Sequence, residues 1–290
     1  MSCRATGEED WSTLKIGWFT SGRDAQARAL LEAVKKKAEG GAIDARIEFV
    51  FCNWEEGEEP QHADFAERER FFALVHQLGL PLITLSWKKF RSEIVAGKKD
   101  ERRAEYGRKM RNMIYGHSFD LGLLAGYSLQ MDADTCTRFD LVSLHPGPPY
   151  APPGTEMEMI HRAIMARAES HGATIRTCAP EWEAQSIATF CAFSLRGSGY
   201  TPLWNALDAK LGDGTVDLVP KAEVESDPLF DRIRSDLERR ERALVVLTLG
   251  LFSGSKLDLQ KGKVYVDGRP LSGPYDLTQP VEDAIGKGEF

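Results

Sequence analysis

The sequence predicts an α/β fold in which a mostly parallel sheet carries helices on both faces. From residue 14 to residue 145, apolar runs of strand length alternate with segments of helical period. Strands that alternate with helices imply right-handed crossovers, which produce parallel strands covered on both sides. After residue 150 the pattern changes to two consecutive strands, a long helix and a hairpin, which predicts an antiparallel edge on the sheet.

The elements of the first half follow from apolar runs and helix stop signals. Five strands are predicted, over 14–21, 45–53, 80–86, 119–127 and 139–145. Helices are predicted over 23–41, which ends at a double glycine, over 63–79, and within the charged segment 91–118. The acidic segment 53–62 is expected to be a solvated loop without a functional role.

The elements of the second half are predicted from capping and turn residues. A helix is expected over 155–172, followed by strands over 173–179 and 186–195. Asp227 and Pro228 suit the start of a long helix that ends at Gly254, and the Asp-Gly pair at 267–268 predicts a hairpin within 262–278.

Composition narrows the class of protein. The chain has 290 residues, no apolar run long enough to span a membrane and a net charge of −7, which disfavours nucleic acid and anionic membranes as partners. Its five cysteines are widely spaced and contain no CxxC pair, which predicts reduced thiols, a cytoplasmic protein and no metal site. Residues 1–12 are expected to form a flexible N-terminus ahead of a single domain over 13–290.

A histidine at the end of the fifth predicted strand is the sharpest candidate for catalysis. His145 precedes a loop with five prolines and two glycines, and Pro146 restricts its backbone to extended conformations. Its imidazole can donate to a developing oxyanion or transfer a proton near pH 7. Ser143 points to the same side of the strand. The alternative is a histidine that is satisfied by a backbone carbonyl.

Three further segments are candidates for binding. The turn 20–26, TSGRDAQ, is a candidate phosphate site at a helix N-terminus, and the alternative is an ordinary tight turn. It lacks the GxGxxG motif, which disfavours binding of a dinucleotide. Segment 123–131 ends a strand, where ligands of open α/β sheets bind, unless it packs under a helix. Loop 178–186 carries Glu181 and Glu183. A carboxylate of this loop is a candidate partner for His145, and the alternative is an ordinary solvated loop.

Four segments, taken in order, resemble the folate-dependent formyltransferases, and among them the phosphoribosylglycinamide formyltransferases. They are KIGWFTSGRDAQARALLEA, FDLGLLAGYSLQM, LVSLHPGPPYAPPGT and ERALVVLTLGLFSGSKLDLQKGKVYVDGRPLSGPYDL. Together they extend from residue 14 to about 278, and their order and spacing make the resemblance specific.

The resemblance implies a Rossmann-like, formyltransferase-like fold, with 13–150 as the Rossmann-like half and 151–290 completing a folate site. It implies formyl transfer from 10-formyltetrahydrofolate to an amine, above all 5-phosphoribosylglycinamide in purine biosynthesis. A formyltetrahydrofolate hydrolase, a transferase for another amine and a folate- or nucleotide-binding protein that has lost catalysis remain open. Its partners would be small molecules, folate and a phosphorylated amine, without a metal, in a monomer or homodimer.

The resemblance also implies roles for individual residues. The catalytic group would be His145 with Ser143 and Glu183, where the family has asparagine, histidine and aspartate. The folate would be held by Gly126, Tyr127, Ser128, Leu129, Met131, Glu181 and Trp182. The acceptor's phosphate side would be held by Ser21, Gly22, Arg23, Asp24, Arg103 and Glu241. Serine has a shorter arm than asparagine and glutamate a longer arm than aspartate, so the altered group must be spaced differently or serve another acceptor.

Overall fold

The computed structural model describes residues 13–93, 99–211, 221–260 and 262–290. The predicted flexible segment 1–12 and much of the insertion near 92–101 lie outside these residues. The strands are β1 Leu14–Thr20, β2 Ala45–Cys52, β3 Leu82–Thr84, β4 Leu121–Leu124, β5 Leu141–His145, β6 Ser170–Thr177, β7 Ile187–Ser194, β8 Leu257–Gln260, β9 Lys263–Val266, β10 Arg269–Pro270 and β11 Tyr275–Asp276. The helices are α1 Ala25–Glu39, α2 Phe65–Gln77, α3 Trp87–Glu93, α4 Lys99–Ile114, α5 Ala133–Arg138, α6 Glu156–Met165, α7 Thr201–Leu211, α8 Lys221–Glu225, α9 Pro228–Ser253 and α10 Thr278–Gly286.

A mixed sheet of eight strands organises the chain, in the order β11-β7-β6-β5-β4-β1-β2-β3. Strands β1 to β5 are parallel where they pair, and β6 and β7 form the predicted antiparallel side. The chain leaves β1 toward β2 and later returns to β4 on its other side. The carboxyl ends of β1 and β4 therefore border the crevice where open α/β sheets bind ligands.

Two apolar clusters cover the two faces of this sheet. The larger contains Ile16, Trp18 and Val142 with the buried sides of α1, α2, α6 and α9. The smaller contains Phe19, Leu124 and Leu141 with aromatic and aliphatic side chains of α3 and α4. Residues adjacent along one strand face opposite clusters, as pleating requires. We call the side of the smaller cluster the α4 face and the other side the α9 face.

The capping and turn predictions are confirmed where the sequence carried a specific signal. Asp227 accepts a hydrogen bond from the backbone of Leu229 at the start of α9, with Pro228 in the first turn and Gly254 at the end. The Asp267–Gly268 turn joins β9 to β10, and β8 adds a third strand to this small antiparallel sheet.

The helix predicted over 155–172 is wrong in its second half. It ends after Met165 because Arg167 adopts a left-handed conformation with φ of 47°, and residues from Ser170 belong to β6. The strand predicted from residue 173 therefore begins three residues earlier. Helices α5, α7, α8 and α10 were not predicted, and α3 begins at Trp87, ahead of the segment 91–118 in which a helix was expected.

The acidic segment 53–62 is less solvated than predicted. Glu58 is 6% exposed, and its carboxylate accepts a hydrogen bond of 2.6 Å from the hydroxyl of Ser86. The buried guanidinium of Arg68 donates to the backbone oxygen of Glu58 and lies 4.1 Å from the ring centre of Trp54. In the described residues, no helix is both long enough and apolar enough to cross a bilayer.

Candidate active site

Four polar side chains form a patch on the α4 face of the sheet at the β5–β6 pair. The antiparallel register places Ser143 opposite Arg176 and His145 opposite Thr174. Directly opposed residues share a face, and so do residues two apart along a strand. Ser143, His145, Thr174 and Arg176 therefore form one block, which we call the polar patch.

A cavity of about 410 Å³ lies beside this patch. Its volume is in the range of pockets that hold small molecules. One wall is the segment after β4 and the other is the loop after β6. The lining residues are Leu124, Tyr127, Ser128, Leu129, Gln130, Met131, Ser143, His145, Pro153, Gly154, Cys178, Ala179, Trp182 and Gln185. The structure thus brings the predicted His145, Ser143 and most of the 126–131 segment to one cavity.

His145 is half-buried, and its ring is held edge-on to the indole of Trp182 at 4.8 Å between centres. Burial, and then the positive charge of Arg176, lowers the pKa of His145 to about 4. Its Nε2 is buried without a hydrogen-bond partner in the described residues. The ring is therefore neutral at pH 7 and has a nitrogen free for a ligand.

The expected contact between Glu183 and His145 is not formed. Glu181 and Glu183 are exposed at the start of a short 3-10 turn, Trp182–Ala184. Trp182, between them, turns inward and occupies the place beside the imidazole that a carboxylate was predicted to take. Because the neighbouring charge is the cation of Arg176, the pKa of His145 is lowered where the predicted carboxylate would have raised it.

The segment predicted to hold the pterin forms part of the cavity wall. Gly126 has a left-handed φ of 68°, which turns the chain out of β4. Tyr127 packs its ring against Phe19 and Phe51, with ring centres 6.3 Å away in each case. Leu129 is half-buried and Met131 is buried. Gln130 donates across the cavity mouth to the backbone oxygen of Pro180.

The turn predicted to bind phosphate is engaged in contacts within the protein. The buried hydroxyl of Ser21 donates to the hydroxyl of Ser128 and accepts from its backbone N–H, each at 2.9 Å. Gly22 has a φ of 60°, and a Cβ there would lie 2.9 Å from the ring of Phe71. Asp24 caps α1 by accepting from Ala27, and Arg23 is ion-paired with Asp64.

The surroundings of this helix N-terminus are acidic. Glu241 is 3% exposed and accepts a 3.0 Å hydrogen bond from Gln26 of α1. Burial and the neighbouring carboxyl of Glu156 raise the pKa of Glu241 well above its usual range. Burial, with Glu238 and Asp24, likewise raises the pKa of Glu156 to about 7. The raised pKa values favour the protonated forms of Glu156 and Glu241, and the positive charges of Arg234 and Arg242 act on the same cluster. The phosphate assignment therefore stays a prediction.

Arg103 borders a second cavity, of about 260 Å³, on the other side of the segment after β4. The two cavities share residues 127–131. Ser128 borders this second cavity and is bonded to Ser21, so it stands between the arginine and the predicted phosphate turn. Arg103 also pairs with Asp100 at 3.4 Å.

Arg176, Thr174 and Gln185 were missed by sequence reasoning. Arg176 and Thr174 lie in a run that reads only as an apolar strand, and the register with Ser143 and His145 is what gives them a place in the patch. Gln185 borders the main cavity, and its Oε1 is buried without a hydrogen-bond partner in the described residues. For Arg176 and Thr174, the available signal in the sequence was their spacing of two residues, which places both on one face of a strand.

Comparison with solved structures identifies the fold. Glycinamide ribonucleotide transformylase 1 from Symbiobacterium toebii matches with a TM-score of 0.59 at 16% identity, over 88% of this chain and 95% of that chain. Phosphoribosylglycinamide formyltransferase from Coxiella burnetii, in complex with CHES, matches with 0.60 at 15% identity, over 91% and 99%. A formyltetrahydrofolate deformylase from Pseudomonas syringae matches with 0.55 at 15% identity, over 88% of this chain and 66% of that chain.

The chain therefore has the formyltransferase fold, as the sequence resemblance implied. A scan against models of protein families gave no match, and a search of curated protein sequences gave no significant match. At 15–16% identity these likenesses define the architecture, and any activity has to be argued from the side chains of this chain.

Proposed function

We propose that the protein transfers a formyl group from 10-formyltetrahydrofolate to a nucleophile bound at the carboxyl edge of the sheet. The observation that carries this proposal is the cavity of about 410 Å³ in which neutral His145 lies beside Ser143. A neutral imidazole and a hydroxyl are hydrogen-bond donors that suit an oxyanion, and the fold is that of formyltransferases.

The cavity also fits a folate in its chemistry. Leu124, Leu129 and Met131 give it apolar surface for a flat ring, and Gln185 has a buried oxygen that lacks a donor. The N–H groups of a pterin would satisfy that oxygen. When bound there, 10-formyltetrahydrofolate supplies the formyl carbon, which the nucleophile attacks as the bond to N10 breaks.

The roles of the residues follow from their charge state. His145 holds the developing negative charge through a ring N–H, because a ring with a pKa of about 4 remains uncharged at pH 7. Ser143, two residues earlier on the same face, donates from its hydroxyl. The proton that an attacking amine loses is transferred to N10, so that the products are the formylated amine and tetrahydrofolate.

Phosphoribosylglycinamide is the first acceptor to test. Purified protein is mixed with 10-formyltetrahydrofolate and phosphoribosylglycinamide, and the appearance of tetrahydrofolate is followed together with the formylated product. We expect turnover that is lost in His145→Gln. Turnover of the same size in that variant, or no deformylation with any acceptor or with water, would reject the proposal.

Water or an unphosphorylated amine is the second candidate nucleophile. The specific observation in its favour is that Asp24 already caps α1, with Glu156, Glu238 and Glu241 nearby. Release of free formate without any acceptor distinguishes hydrolysis from transfer. Formylation of an amine that lacks a phosphate, at a rate above that for phosphoribosylglycinamide, indicates the other acceptor.

A further inference from the structure

Arg176 is a buried cation without a carboxylate partner in the described residues. The residue is 7% exposed, and its Nε is buried without a hydrogen-bond partner in the described residues. One terminal nitrogen donates to the backbone oxygen of Gln185 at 3.3 Å. A buried guanidinium is costly to keep charged unless an anion neutralises it, and burial lowers the pKa of this group.

Arg176 is oriented by its neighbours toward the catalytic end of β5. Its guanidinium carbon lies 4.0 Å from the ring centre of Trp182, and the same indole meets His145 edge-on. Two buried nitrogens without partners, Nε of Arg176 and Nε2 of His145, thus lie around one indole. Both can donate hydrogen bonds to an oxygen.

Trp182 lies between Arg176 and the main cavity, whereas His145 borders both the main cavity and a small one. The small cavity, of about 10 Å³, lies under the indole, bordered by His145, Thr174 and Arg176, and it is large enough for about one water. The small and the main cavity share His145, Pro153, Gly154 and Trp182, which form the wall between them. Displacement of the indole would join the two spaces and place Arg176 on the main cavity.

We propose that Arg176, His145 and Thr174 form a carboxylate site that Trp182 covers. A guanidinium matches the two oxygens of a carboxylate in a planar, paired geometry. Because the small cavity holds only about one water, the indole must move for a carboxylate to enter. The carboxylate has two possible sources, free formate released from the formyl group and the carboxylate of an amino-acid acceptor. This inference deepens the proposed function and rests on it for the choice between those sources.

Trp182 reports directly on this site. The protein has six tryptophans, so the fluorescence of the wild-type chain is compared with that of Trp182→Phe to isolate the signal of residue 182. Sodium formate and glycine are titrated in separate arms without folate, at constant ionic strength set with sodium chloride. We expect a saturable change with at least one of them, absent in Trp182→Phe, while calorimetry measures binding in both proteins.

Variants of arginine test the assignment. Arg176→Gln should weaken binding of the carboxylate at least tenfold, and Arg176→Lys should weaken it less. Arg240→Gln is the matched control, because Arg240 also lies over a ring, that of Phe193 at 4.3 Å, but is already paired with Glu282. It should bind like the wild type.

The outcomes separate this inference from the function itself. Binding of formate alone assigns the site to the one-carbon product, and binding of glycine as well assigns it to the acceptor's carboxylate. Absence of saturable binding of either, binding unchanged in both Arg176 variants, or tighter binding of inorganic phosphate would overturn the inference. Formyl transfer that persists without such binding would leave the proposed function in place, because the titrations contain no folate.

Discussion

The two faces of the β5–β6 pair carry one histidine each, a half-buried ring that borders the cavity of about 410 Å³ and a buried ring in the apolar core. His145 is on the α4 face, in the polar patch, while His171 is on the α9 face and packs against Phe193 with ring centres 5.9 Å apart. Burial lowers the pKa of each ring to about 4, and each has a buried Nε2 without a partner in the described chain. A shifted pKa therefore does not mark the site, whereas access to a cavity does.

Replacing each histidine gives the sharpest test of this comparison. His145→Gln should lower kcat for formyl transfer by about 10²–10³-fold, because an oxyanion donor is lost. His171→Gln keeps the size of the side chain on the packed face and should leave kcat within about threefold. Steady-state kinetics of both purified variants measure the two values of kcat, and circular dichroism checks that both variants fold. An equal loss of kcat in the two variants would contradict the comparison.

Acid should destabilise the protein through both rings. Each ring has a folded pKa of about 4 against about 6.5 in the unfolded chain, so the unfolded state binds more protons between these values. Their contribution is constant above pH 6.5 and is lost as the pH falls toward 4, by at most about 3 kcal/mol for each ring. Urea unfolding at pH 7.5, 6 and 5 measures this.

The pH dependence should become shallower in either histidine variant. A glutamine does not titrate, so His145→Gln and His171→Gln should each remove about half of the loss between pH 6.5 and 5 that the two rings cause. An unchanged slope in both variants would show that carboxyl groups whose pKa is lowered in the folded state, such as Asp64, dominate acid unfolding instead.

Ser143→Ala should have a smaller effect than His145→Gln. Ser143 lies opposite Arg176 and borders the cavity, but its hydroxyl reaches less far than a longer side chain would. Loss of one neutral hydrogen bond corresponds to roughly tenfold in kcat. The same kinetic assay measures it, and a loss as large as that of His145→Gln would give Ser143 an equal role.

Glu183→Gln should have the smallest effect. The residue is exposed on the turn that Trp182 anchors, and replacing an exposed side chain usually changes free energies by less than about 0.5 kcal/mol, which is roughly twofold in rate. A loss of tenfold or more in kcat, with KM unchanged, would show that the turn rearranges during the reaction and restores the predicted carboxylate.

The strands and helices of the sheet could largely be predicted from the sequence because the signals that define them are local. Apolar runs, the helix cap at Asp227 and the Asp-Gly turn each act within a few residues. His145 was found in the same way, through Pro146 and the end of a strand. The error in α6 arose because the left-handed Arg167 has no residue signal that distinguishes it from a continuing helix.

The electrostatic character of the site could not be predicted, because it depends on pairs that are distant in sequence. Arg176 acquires a role only through its register with Ser143, 33 positions away, and the carboxyl groups near α1 come from two helices and a turn. Family resemblance pointed to Glu183 as the carboxylate partner of His145, but its side chain faces solvent. That direction was decided by Trp182, whose larger apolar surface gains more from burial.

The hydroxyl pair of Ser21 and Ser128 ties the two sides of the crevice together at the point where the sheet reverses direction. A molecule that displaces the turn at Ser21 must either displace the segment at Ser128 with it or separate the two hydroxyl oxygens. A displacement on the α1 side is consequently transmitted to the segment after β4 through the hydrogen bonds between Ser21 and Ser128, so the two sides share one mechanical linkage.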